Sequence, residues 1–159
     1  MNKATVAATG LAVATAAGTG SIASPRHNPV WFARIRKPRY QPPGAVFPVV
    51  WTTLYTDIAA TSAVTIDRLR ATGRRDEARS YSIALAVNLV LNAGWSWLFF
   101  RFHKLGASAL GAAVLTASSA DLARRAADAD PKAGVALSPY PLWCAFATVL
   151  STHIWRLNR

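Results

Sequence analysis

Five stretches of this 159-residue chain run for about twenty residues almost without charge: Ala4 to Ala23, Phe47 to Ile66, Ser80 to Phe100, Leu105 to Ala120 and Ala133 to Thr152. A helix of that length reaches across the hydrocarbon core of a bilayer. Asp57 is the single charge inside them. A soluble bundle would have to bury each run on all sides, and so short a chain cannot cover five such helices. The pattern predicts an all-α membrane protein, a five-transmembrane-helix bundle forming one domain over 1–159. Its helices are expected over about 4–23, 45–68, 79–101, 105–123 and 133–156, with a first loop over 24–44. The expected location is integral and multi-pass, in a bacterial cell membrane, with which the absence of a basic, Ser-rich leader is compatible.

The first run admits two readings. It follows Lys3 and ends in Ser21-Ile22-Ala23-Ser24-Pro25, which is compatible with a cleaved signal peptide. Its apolar part is longer than a signal core, however, and Gly10, Ala14 and Gly18 form a small-residue stripe that lets helices approach in lipid. A retained first helix is the favoured reading.

The net charge of +11 does not point to nucleic acid. Its Lys and Arg residues gather in segments that flank the apolar runs, such as Arg34-Ile35-Arg36-Lys37-Pro38-Arg39 and Arg68 to Arg79, where anionic headgroups are their natural partners. Orientation stays open, because the five-span layout puts nine basic residues on each side.

Familiar hydrolytic and nucleotide motifs are missing. With one cysteine, Cys144, and scattered histidines, His27, His103 and His153, no metal site is expected. The remaining chemistry is aromatic and amide. Pro42 and Pro43 mark the entrance of the second helix, on which Trp51 and Tyr55 share a face as either interfacial anchors or pocket walls. Asn88 and Asn92, also four apart, turn two amides the same way, either as interhelical hydrogen-bond partners or toward a ligand. Asp57 is a carboxyl inside a span, which tends to face protein or water.

Taken together, Trp31-Phe32, Lys37-Pro38, Pro42-Pro43, Phe47-Pro48, Trp51, Leu54-Tyr55, Asn92, Trp95, Phe99-Phe100, Ser138-Pro139-Tyr140, Trp143 and Phe146-Ala147-Thr148 follow one family's order. The chain resembles the TspO/MBR family of translocator proteins and bacterial tryptophan-rich sensory proteins. The resemblance implies a five-helix bundle, often a homodimer, that binds protoporphyrin IX or haem and also sterols or synthetic aromatic ligands. It requires no bound cofactor. By matching position it implies a ligand site of Trp31, Phe32, Pro42, Pro43, Phe47, Trp51, Asn88, Asn92, Trp95, Phe99, Tyr140, Trp143 and Phe146, under a lid formed by the first loop.

The implied function is sensing, regulating or carrying porphyrins. A light- and oxygen-dependent porphyrin-degrading activity, with Trp51 and Trp143 as catalytic electron donors, is the alternative, and sterol or lipid transport is another. Phe32 stands where the family's proposed redox Tyr is found, and the C-terminal sterol motif lacks its Tyr, which weakens both alternatives.

Overall fold

The computed structural model describes residues 1–25 and 29–159; the predicted loop residues Arg26, His27 and Asn28 lie outside the described residues. Helix makes up 84% of the structure and no strand occurs among the described residues, so the chain is all-α. The helices are α1 (Lys3–Ile22), α2 (Pro29–Arg34), α3 (Val46–Ala71), α4 (Arg75–Ser96), α5 (Leu105–Ala129), α6 (Pro131–Leu137) and α7 (Pro139–Leu157). A π-helical turn, Trp97–Arg101, prolongs α4.

Local chemistry explains where the boundaries fall. The Asn2 side chain caps α1 by accepting from the Ala4 N–H at 2.9 Å. Gly73 takes a left-handed φ of 76° between α3 and α4, a conformation open to glycine without strain. Helix α4 starts at Arg75, ahead of the predicted 79, with Asp76 and Glu77 in its first turn, where carboxylates suit the positive end of the helix dipole. Helix α5 outlasts the predicted 123 because Asp121 pairs with Arg124 and Arg125, and Arg124 with Asp128, at i,i+3 and i,i+4 spacings.

The predicted last helix over 133–156 is corrected to two pieces. Pro139 has no amide proton to give, and its ring clashes with a continuing helix, so α6 stops at Leu137 and α7 restarts with Pro139 in its first turn. Ahead of this break, Asp130 caps α6 by accepting from the Lys132 N–H at 2.9 Å, with Pro131 at the first helical position.

Helix α1 belongs to the bundle, packing on α3 and α4. Its inward face is Thr5, Thr9, Val13, Ala16 and Gly20; of the Gly10, Ala14 and Gly18 stripe, Ala14 and Gly18 are exposed, and a Cβ added at Gly10 or Gly18 would meet nothing within 4 Å in this chain. The core is built from Leu54, Ile58, Leu69, Tyr81, Leu85, Leu115, Leu122, Leu137, Tyr140 and the free thiol of Cys144.

Among the described residues four helical stretches, Lys3–Ile22, Arg75–Arg101, Leu105–Ala129 and Pro131–Leu157, are long and apolar enough to cross a membrane. Their outer faces are apolar too: Val90 is 72% exposed, Leu110 68% and Leu142 69%. Large aliphatic side chains turned outward on every side suit a solvent of acyl chains and are foreign to water. Helix α3 is 26 residues long but carries Asp57, Asp67, Arg68 and Arg70, and is not among the four.

Candidate functional site

The end of the bundle that carries the first loop is hollow. Helix α1 ends there, α3 begins there, and the end of α4, the π-helical turn and α7 from Trp143 to Ile154 complete the wall of a cavity of about 620 Å³. Nine aromatic side chains line it: Phe32, Phe47, Trp51, Tyr55, Trp95, Phe99, Phe100, Trp143 and Phe146. No charged residue lines it among the described residues.

Helical spacing places the rings. Trp51 and Tyr55, four apart on α3, lie 5.4 Å apart between centroids with planes tilted by 30°. Phe47 meets Trp143 edge-on at 5.9 Å, and Trp143 leans on Phe146 at 5.4 Å. On the opposite wall Trp95 stacks on Phe99 at 5.4 Å, its indole N–H donating to the Ser108 carbonyl at 3.0 Å. The π-helical turn brings Phe99 and Phe100 to the wall together, in edge contact at 4.8 Å. A π insertion shifts side chains around the helix axis, which lets consecutive rings share one wall.

Of the site residues expected from the sequence, Phe32, Phe47, Trp51, Trp95, Phe99, Trp143 and Phe146 meet on this wall. Trp31 stands behind it, stacked on His103 at 3.8 Å and edge-on to Phe99. Pro42 and Pro43 are also off the wall, between Gln41 and Gly44, which are on it.

Asn88, Asn92 and Tyr140 are buried behind the rings and satisfy one another. The Tyr55 hydroxyl donates to Asn92 Oδ1 at 2.8 Å, and Asn92 Nδ2 donates to the Tyr140 hydroxyl at 3.0 Å. Tyr140 donates to Asn88 Oδ1 at 2.9 Å, and Asn88 Nδ2 to Ser118 Oγ at 3.1 Å. This relay ties α3, α4, α5 and α7 together and fixes the Tyr55 ring on the cavity wall. Its amides are spent on helix pairing, the first of the two roles their spacing allowed.

The first loop is fastened to the C-terminal part of α7. Arg36 N–H donates to Asn158 Oδ1 at 2.9 Å, and Asn158 Nδ2 returns a bond to the Arg36 carbonyl at 2.8 Å. Tyr40 shares a hydrogen bond of 3.1 Å with His153 Nδ1. The Lys37 ammonium donates to the carbonyls of Phe32 and Ile35 at the end of α2 and lies 4.4 Å above the Phe32 ring centroid. Partial burial holds its pKa below the ordinary lysine value.

The TspO/MBR family model matches residues 8–156, nearly the whole chain. The chain belongs to the TspO/MBR family. It is similar to protein CrtK of Rhodobacter capsulatus, 31% identical over 149 residues, covering 93% of this chain and 89% of that protein. The tryptophan-rich sensory protein of Cereibacter sphaeroides is 29% identical over 143 residues, covering 89% and 84%. The human translocator protein is 30% identical over 129 residues, covering 80% and 75%. TspO/MBR membership and the four long apolar helices make this chain an integral, multi-pass membrane protein. Gln41 and Phe100 are wall residues that sequence reasoning missed as site residues; the loop position of Gln41 next to Pro42-Pro43 was the available signal.

Proposed function

We propose that this chain is a membrane tetrapyrrole-binding protein, taking protoporphyrin IX into the aromatic cavity and acting as a sensor, regulator or carrier of porphyrins. The observation that carries the reading is the cavity itself, about 620 Å³ walled by nine rings and free of charged side chains among the described residues. That volume falls in the range of small-molecule sites, and a flat conjugated macrocycle gains from offset stacking and edge contacts with Trp and Phe. The polar propionate arms would lie toward the first loop, which carries the exposed Arg34, Arg36 and Arg39. The names of the relatives, sensory and translocator proteins, are compatible with ligand reading or carriage.

Among the described residues the wall offers no His, Cys or Met to hold haem iron, and its one phenol, Tyr55, is already bonded to Asn92. The reading therefore favours the metal-free macrocycle. Helix α3, about 39 Å long by its 26 residues, is assigned as the fifth span, with the half-buried Asp57 accepting a hydrogen bond from Thr61.

Titration of the detergent-purified protein with protoporphyrin IX in the dark, followed by tryptophan quenching, tests the proposal. Saturable binding that Trp143→Phe weakens is expected. Non-saturating quenching, equal in both proteins, would mean partitioning into detergent and would overturn it.

A further inference from the structure

We propose that Gln41 fixes the polar edge of the ligand, selecting molecules whose rim carries a hydrogen-bond donor beside an acceptor. The inference rests on the tetrapyrrole reading of the cavity and adds a specificity determinant to it. Gln41 Oε1 is the one buried side-chain N or O atom without a hydrogen-bond partner among the described residues, and Gln41 stands on the cavity wall. Buried amide oxygens in folded proteins are almost always paired. An orphan acceptor beside a hollow is a vacancy that a ligand donor can fill.

The backbone around it is held firmly. The Gln41 N–H donates to the Pro38 carbonyl at 3.1 Å, and Pro42 restricts Gln41 to extended conformations. The preceding Tyr40 is held by His153 at 3.1 Å and by edge contact with Phe146, whose ring centroid is 6.4 Å away. With the main chain fixed, the remaining freedom is in the side chain, whose terminal amide torsion is soft. Oε1 itself is covered in this structure, so the proposal includes a turn of the side chain that presents its carbonyl and NH2 to the cavity.

An amide presented that way offers one acceptor and one donor in a plane. Its complement is a protonated carboxyl or a lactam, each of which returns one donor and one acceptor. An ionised carboxylate is a poorer match, since it can take only the N–H and leaves Oε1 unpaired. Tetrapyrroles carry both kinds of group: carboxyls on the propionate arms and, in ring-opened forms, terminal lactams.

Four probes separate these sources when titrated into wild type and Gln41→Leu: protoporphyrin IX, its dimethyl ester, biliverdin and biliverdin dimethyl ester. The proposal expects the variant to lose about tenfold in affinity for at least one probe that has a rim donor, and nothing for protoporphyrin dimethyl ester, which has none. A loss for protoporphyrin IX assigns the carboxyl, and a loss for biliverdin dimethyl ester assigns the lactam. Unchanged binding of protoporphyrin dimethyl ester also demonstrates that the variant is folded. Equal affinities of wild type and variant for every probe, or an equal loss for all four, would overturn the role of Gln41 while leaving the cavity reading intact. Failure of wild type to bind any of the four saturably would overturn the cavity reading and this inference with it.

Discussion

Tyr140 is the residue on which the buried relay depends, because its one hydroxyl both accepts from Asn92 and donates to Asn88. Tyr140→Phe keeps the ring and strands a donor on Asn92 and an acceptor on Asn88. Leaving such groups unpaired costs about 1–3 kcal/mol, with the lower part of that range usual in membrane proteins. The melting temperature in detergent should fall by about 2–6 °C. A variant as stable as wild type would show that the relay adds nothing to stability. The pairing of Asn88 with Asn92 was legible in their spacing, but which way they face was not. That depends on Tyr140 arriving from α7, a contact between residues 52 positions apart that no local pattern encodes.

At the level of elements, α5 and α6 meet more closely than any spacing rule foretold. A Cβ added at Gly134 would overlap the Ala127 methyl and stand 2.7 Å from its Cα. Gly134→Ala should therefore force the α5–α6 pair apart and destabilise by about 1–3 kcal/mol. Gly94→Ala, where an added Cβ meets nothing within 4 Å, should leave the melting temperature unchanged or raise it. Equal effects of the two would refute the tight contact. The apolar runs foretold the long helices because their signal is local and repeated over many turns. Their ends were foretold less well. The extension of α5 comes from ion pairs beyond the apolar run, and the break before α7 from Pro139, which the twenty-residue run concealed. The π-helical turn has no signature in composition at all.

For the whole molecule, the count of crossings decides on which sides the termini lie. If α3 spans along with the four apolar stretches, as proposed, the N- and C-termini face opposite compartments; with four spans they share one. Reporter tags at the two ends, probed by protease before and after permeabilisation, should show opposite protection. Same-side protection would remove α3 from the list of spans. The membrane class was readable from charge-free length alone, whereas the cavity was not, because a hollow is what five separate segments leave unfilled. The buried state of Cys144, 1% exposed and the chain's lone cysteine, has a use beyond packing. A thiol shut away from water scarcely meets maleimides or nitroxide reagents, so the native protein is chemically quiet. Cysteines placed at Ser24 and Gly44, both on the wall of the hollow, would take up labels alone and report the distance between the end of α1 and the start of α3.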